Sequence, residues 1–260
     1  PLTLAHAFWR DLRLIGHLEG TLRKLGQSAV LFMLPGSLPT GRRAQWVYAW
    51  EEEYGWPVNH RDDNGDLVGL ERIYYNDNLL PFNARGGAVR GVLVNQTGWS
   101  RNRCGVRMPS AMTSADIRRG SDLEFGQSIY EPFGGSQVEA LANGSLCCLS
   151  GTCGCIDLAA RAVGDLARLP NLVIADYVGL PHGYWVGSPY DALKIDQGIR
   201  DWIEGSSSER AAQTLAARLP QSDDQRRALL ESGCGIAQAM SWEAVTSAYL
   251  LPALRRVRGE

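Results

Sequence analysis

The sequence predicts an α/β protein in which helices cover both faces of a mostly parallel sheet, followed by a helical C-terminal segment. Three observations carry this expectation. Short apolar runs closed by glycine, proline or polar residues alternate with longer segments of helical spacing over residues 1–189. From residue 190 onward helical spacing dominates. Hydrophobic residues make up 45% of the 260-residue chain, enough for a sizeable core, while 21% charged residues is ordinary for a globular chain. The whole of 1–260 is expected as one domain, with the sheet in 1–189 and the helical part in 190–260.

The elements follow in order. Phe8 to Leu25 places Leu12, Ile15, Leu18, Leu22 and Leu25 at helical spacing with arginines between them. Ser28 to Leu34 is an apolar run stopped by Pro35-Gly36 and reads as a buried strand. A helix is expected at Ala44 to Tyr54, an exposed loop at Asn59 to Asp66, and strands at Leu67 to Tyr75 and Gly91 to Asn95. Gly98 to Pro109, rich in arginine and glycine, reads as a loop and Met112 to Arg119 as a short helix. Leu123 to Ile129 is a strand leading into Glu131, Ser136 to Asn143 a helix and Ser145 to Ser150 a strand. Asp157 to Leu169 is helical and Leu172 to Ala175 a strand. Four helices close the chain: Ala192 to Glu204, Ser208 to Leu219, Ser222 to Gly233 and Ser241 to Val257.

Charge and composition exclude several function classes. The net charge of -2 and the lack of a basic stripe interleaved with aromatics speak against nucleic acid as a partner. No apolar run reaches the roughly 20 residues of a transmembrane segment, and the N-terminus has no signal-peptide pattern. Six cysteines are present, four of them within Cys147 to Cys155 as C-C-x-x-x-x-C-x-C. That spacing lacks paired C-x-x-C knuckles and has no histidine beside it, so reduced core thiols are preferred over a metal site or disulfides. Reduced thiols point to a cytoplasmic setting. His6, His17, His60 and His182 are scattered and are read as structural or surface residues.

Glu131 to Glu139, E-P-F-G-G-S-Q-V-E, is the segment that carries chemistry. Pro132 stiffens a turn after a strand, and Gly134-Gly135 removes side chains where a backbone is to be approached closely. Ser136 and Glu139 match a capping box, and the helix N-terminus behind them would suit a phosphate. Two readings are open at this level. Either this is a well-built strand-to-helix turn, with Glu139 as a capping residue and Glu131 as a solvated loop acid, or it is an anion site at the carboxyl end of a parallel sheet.

The pattern Y-E-P-F-G-x-S-Q-x-E-A-L resembles the E-x7-E signature of retaining glycosyltransferases of the glycogen-synthase-like group. A-L-A-N-G-S-L-C-C-L-S is similar to the family's continuation into the sheet, and D-I-R-R-G-S-D-L-E-F-G-Q-S-I to its preceding strand. The close match covers roughly residues 110–155, and the terminal S-W-E-A-V-T-S-A-Y-L-L-P-A-L resembles the family's last helix. The resemblance implies a Rossmann-like, donor-binding half of a two-domain GT-B fold. It implies that Glu131 is the catalytic residue at the transferred sugar, bonding its hydroxyls and helping to place charge near the anomeric centre. Donor binding would involve Phe133 and the amides of Gly134, Gly135 and Ser136 at sugar and diphosphate, and Glu139 at the ribose hydroxyls. Arg10 fits the place of the family's diphosphate-binding lysine, with Arg13 as the alternative; Arg118 and Arg119 read as a surface pair. The expected partner is a nucleotide sugar, as substrate rather than cofactor, with no metal required.

The chain begins at Pro1 rather than methionine and is expected to be cut from a longer protein. An N-terminal acceptor domain of that protein would complete the cleft, so the segment by itself is expected to be inactive in transfer. The terminal helix, which in the family crosses to that domain, is expected to carry an exposed or docked apolar face. A non-catalytic sugar-nucleotide-binding or regulatory domain is the alternative. An epimerase-like reading is disfavoured, because such proteins lack E-P-F-G-x-S-Q.

Overall fold

The computed structural model describes residues 2–33, 79–93, 111, 114–126, 131, 134–166 and 169–259. The expected elements at 44–54, 59–66, 67–75 and 98–109 lie outside the described residues. The chain divides into two compact units, Glu19–Gly120 and Pro1–Leu18 together with Ser121–Glu260. No helix among the described residues is long and apolar enough to cross a membrane.

Helix α1 spans Leu2–Lys24, covering the expected helix but beginning six residues before Phe8, and Arg23 and Lys24 lie in its last turn, where cations suit the helix dipole. In the unit Glu19–Gly120, strand β1 (Ala29–Met33) pairs in parallel with β2 (Val89–Leu93). Helix α2 (Leu80–Ala84) opens with Pro81, whose missing N–H has no intrahelical partner to lose at that position. Asn83 grips β2 through both ends of its amide: its Nδ2 donates to the Gly91 carbonyl and its Oδ1 accepts from the Gly91 N–H, each at 2.9 Å. Buried Glu19 accepts hydrogen bonds from the Ala88 amide and from Arg23. Helix α3 (Ser114–Arg119) ends in the predicted arginine pair, of which Arg119 forms an exposed ion pair with Asp116.

The other unit holds a second parallel sheet of order β3 (Leu123–Gly126), β4 (Leu146–Ser150), β5 (Leu172–Ala175). The mixed α/β character with parallel pairing is therefore as expected. Among the described residues, however, the strands form two small sheets rather than one continuous sheet. All five residues of β4 are buried, consistent with a central strand covered on both faces. Alternation sends Cys147 and Leu149 toward one face, where they join Ala140, Leu141, Cys155, Ile156, Ala159 and Ile236 in one apolar cluster. These neighbours come from the turn after β3, from helix α4 (Gly154–Val163) and from helix α7 (Asp223–Ala239).

Helix α5 (Pro189–Ala192) is capped by Ser188, α6 (Gln197–Arg218) by Asp196 and α7 by Ser222; each side chain accepts the amide three residues on. Two helices were expected where α6 is continuous, because Gly205-Ser206-Ser207-Ser208 reads locally as a break. Tertiary packing overrides that weak local preference. Ser207 and Ser208 are buried in α6, which lies against β4 and β5, and the Ser207 hydroxyl donates to the Asp176 carbonyl at the end of β5. Buried Glu204 of the same helix receives Arg13 of α1 at 3.1 Å, and Arg13 also pairs with Asp201 at 2.7 Å. Arg218 closes the far end by donating to the carbonyls of Leu169 and Leu172.

The expected terminal helix is present as α8 (Trp242–Val245), a π turn (Thr246–Leu250) and α9 (Leu251–Arg258). The π turn precedes Pro252, which has no N–H to continue the α-helical ladder, and a local change of register absorbs that loss. Trp242, Leu250, Leu251, Leu254 and Val257 of this segment are exposed.

Helix α7 runs six residues beyond its expected end at Gly233, and that glycine is the reason. A Cβ there would sit 2.2 Å from the Leu141 carbonyl oxygen and 3.1 Å from Asn171 Nδ2. Gly233 thus lets α7 lie directly on the backbone of the turn before β4, while fully buried Asn171 donates to the carbonyls of Ser145 and Leu229. Gly235, two residues on, faces open space. In urea unfolding, Gly233→Ala is expected to lose about 1–3 kcal/mol through overpacking. Gly235→Ala should instead gain up to about 1 kcal/mol from helix propensity. Equal effects of the two substitutions would show that the close approach does not matter.

Candidate functional site

The carboxyl ends of β3, β4 and β5 lie side by side, and the loops leaving them build the site. The loop after β4 is Gly151-Thr152-Cys153. Its Cys153 amide donates to the Ser150 carbonyl at 3.1 Å, closing a tight turn, and Ser150 Oγ lies 3.0 Å from Thr152 Oγ1. Cys153, in extended conformation, then opens α4.

Glu131 forms a parallel bridge with Cys153, and its carbonyl accepts the Gly154 amide at 3.1 Å. The chain after β3 is therefore stitched to the chain after β4, and Glu131, half-buried, is held at the strand ends. Gly134 is buried and left-handed, with φ of 74°. A Cβ on it would fall 2.5 Å from Cys153 Sγ and 2.8 Å from Glu131 Cγ, so both its φ and its surroundings call for glycine. Gln137 is buried across the end of β3, where Gly126 makes room: a Cβ on Gly126 would lie 2.5 Å from that of Gln137.

Of the predicted residues, Glu131 and Gly134 are brought together, and Gly135 follows as the first residue of the next turn. Glu139 is exposed and begins a second turn. Arg10 lies in α1, but its side chain, that of Ser136, and the whole of Phe133 lie outside the described residues.

One expectation is corrected here. The segment predicted as an α-helix with a Ser136–Glu139 capping box is two 3₁₀ turns, Gly135–Gln137 and Glu139–Asn143. Ser136 lies inside the first turn instead of capping it, and the residues at the two N-cap positions, Gly134 and Val138, make no side-chain cap. The turns follow packing: Gly134 enters in the left-handed conformation, Gln137 is buried against Gly126, and Ala140 and Leu141 are buried in the core cluster. The helix N-terminus imagined for a phosphate is therefore absent at this place, and only turn amides remain.

Arg13, the alternative diphosphate ligand, has its charge engaged by Asp201 and Glu204. The Arg13 guanidinium in turn holds the Asp201 carboxyl below its usual range, helped by Gln197. Asp176, at the end of β5, folds onto its own loop, accepting the amides of Val178 and Gly179.

Two residues of this arrangement are not legible as such in the sequence. Gln137 stands in the motif without a packing signal, and Cys153 reads as part of a thiol-rich core, although it lies three residues after the strand expected at Ser145 to Ser150. Among the described residues, no three His, Cys, Asp or Glu side chains are grouped so as to hold a metal ion.

Gly134→Ala is expected to destabilise the chain by about 2–4 kcal/mol, combining the left-handed penalty with overpacking against Cys153. Chemical denaturation checks this, and a loss under about 0.5 kcal/mol, the range of neutral surface changes, would show that the turn tolerates a side chain. Compared with known proteins, the sequence matches no protein-family model and no curated protein.

Proposed function

We propose that this chain is a nucleotide-sugar-binding unit of a retaining glycosyltransferase, with its donor site at the segment Glu131–Glu139. The observation that supports this reading best is the anchoring of Glu131. The bridge to Cys153 holds the first acid of the E-x7-E pattern at the carboxyl ends of parallel strands, the edge where open α/β sheets take ligands. Left-handed Gly134 packs beside it against Glu131 Cγ, an approach that glycine permits.

In this proposal Glu131 accepts hydrogen bonds from the hydroxyls of the transferred hexose and places negative charge near the anomeric carbon. Amides of Gly134, Gly135 and Ser136 meet the sugar and the diphosphate. Glu139 receives the two ribose hydroxyls on its two carboxylate oxygens. Arg10 supplies the cation that stabilises the departing diphosphate, and the diphosphate itself takes the acceptor's proton. No protein nucleophile and no metal enter this scheme.

Calorimetric titration with UDP, ADP and GDP tests the proposal. One nucleotide is expected to bind. Glu139→Ala should weaken it by about 1–3 kcal/mol, the range for hydrogen bonds to a charged group, which is roughly a 5- to 150-fold rise in Kd. EDTA should leave the affinity unchanged. Binding that is indifferent to Glu139→Ala, or no binding of any of the three at millimolar concentration, would overturn the assignment.

A further inference from the structure

Beneath the Glu131 loop lies a second feature that the proposed transfer does not use. Cys153 and Cys155 flank Gly154 at the start of α4, and their sulfurs are 2.7 Å apart. That is well inside the ordinary contact distance of two sulfur atoms and only about 0.7 Å longer than a disulfide bond. The approach comes from the backbone. Extended Cys153 precedes the helix and Cys155 lies within its first turn, so the two side chains converge on the same side. Neither cysteine is in a disulfide, and both are buried, Cys153 at 3% exposure and Cys155 at 0%. Cys147 belongs to the same apolar cluster, whereas Cys148 points to the opposite face of β4.

We infer that Cys153 and Cys155 form a dithiol modification site that a hydroperoxide converts to an intramolecular disulfide. The stoichiometry closes: two thiols and one hydroperoxide give one disulfide, one alcohol (or water, from hydrogen peroxide) and one water. Two S–H bonds and the O–O bond break, the S–S bond forms, each sulfur is oxidised by one electron, and both protons leave on the peroxide oxygens.

Burial shapes the chemistry. It admits a small peroxide more readily than a bulky disulfide reagent. Burial, together with the contact to Cys153, also pushes the Cys155 thiol up, so Cys155 is a poor first target for the peroxide, and its 2.7 Å contact with Cys153 offsets its low nucleophilicity in the closing step. Cys153, on the loop side, meets the oxidant first. A sulfenic acid formed there has its partner thiol already in contact, so closure outruns further oxidation to the sulfinic acid.

The bond would be felt at the strand ends. Cys153 Sγ is the nearest atom to the position a Gly134 Cβ would occupy, and the Gly154 amide between the two cysteines is bonded to the Glu131 carbonyl. Drawing Cys153 toward Cys155 pulls on that hydrogen bond. This holds whether or not the loop binds a nucleotide.

The folded chain, with Cys234→Ser to remove the exposed thiol among the described cysteines, is treated with hydrogen peroxide, unfolded, alkylated and mapped by mass spectrometry. The expected product lacks two hydrogens and has both Cys153 and Cys155 protected from alkylation, reversibly with dithiothreitol. In Cys155→Ser the disulfide should vanish, and Cys153 should be trapped by dimedone as a sulfenic acid. Hydrogen exchange at the Gly154 amide should accelerate at least tenfold on oxidation. Both thiols remaining alkylatable after a peroxide dose that oxidises Cys234 of the parent chain would overturn the inference. A bond from Cys155 to Cys147, or unchanged Gly154 exchange once the disulfide has formed, would overturn it equally. None of these readouts involves a nucleotide, so a failed donor site and a failed thiol site are told apart.

Discussion

The unit that carries Glu131 depends on one constraint: β4 is buried along its whole length, with strands on both edges and helices on both faces. A strand in that position can hold no uncompensated polar group. Its backbone is satisfied by the two parallel ladders, and its side chains are apolar, thiol or, at the very end, Ser150 turned onto Thr152. Burying Leu146 and Leu149 contributes about 1.5–3 kcal/mol for each side chain, and cysteine adds small apolar volume without demanding strong hydrogen bonds. Everything placed around β4 is there to complete that burial, including the features that shape the site.

Close packing around β4 explains why small residues recur at contacts that would otherwise look like loops or breaks. Gly233 brings α7 onto the carbonyl of Leu141; Gly126 admits Gln137; Ser207 and Ser208 let α6 lie against the sheet. Gly144 is left-handed, and a Cβ on it would meet the Leu230 backbone at 2.8 Å, so it ends the second 3₁₀ turn and admits α7 at once. Such glycines weaken a helix or a turn taken alone. Here the weakness is offset by packing that no larger residue permits.

The same economy places acid and sulfur chemistry within one small volume. The turn after β4 and the segment after β3 share a parallel bridge, so Glu131, Gly134, Cys153 and, through Gly154, Cys155 are mechanically one unit. Glu131 is held at the strand ends through its backbone, by the bridge to Cys153 and the bond from the Gly154 amide to its carbonyl. It is also sensitive to anything that moves Cys153. Under the readings proposed above, a donor-sugar site and a peroxide-sensitive dithiol are neighbours because they hang on the same two strand ends.

By itself the sequence determined the elements whose signal is local. The leucine spacing of α1 and the short apolar runs of β1, β4 and β5 follow from periodicity and from turn residues at their ends, and parallel pairing follows from their alternation with helices. The segment Glu131–Glu139 is legible as a strand-to-helix turn with paired glycines, and its reading as a site comes from the resemblance of its letters to the E-x7-E pattern. Tertiary structure alone decided what depends on distance between segments far apart in the chain. Whether Ser136–Asn143 became an α-helix or 3₁₀ turns was set by the packing of Gln137, Ala140 and Leu141, and whether Gly205–Ser208 broke a helix was set by the sheet beneath it. The charge on Arg13 was spoken for by carboxylates nearly two hundred residues away, at Asp201 and Glu204. Local preferences amount to about 1 kcal/mol or less per residue, whereas a buried side chain or an uncompensated buried charge is worth several, so where the two disagreed packing prevailed.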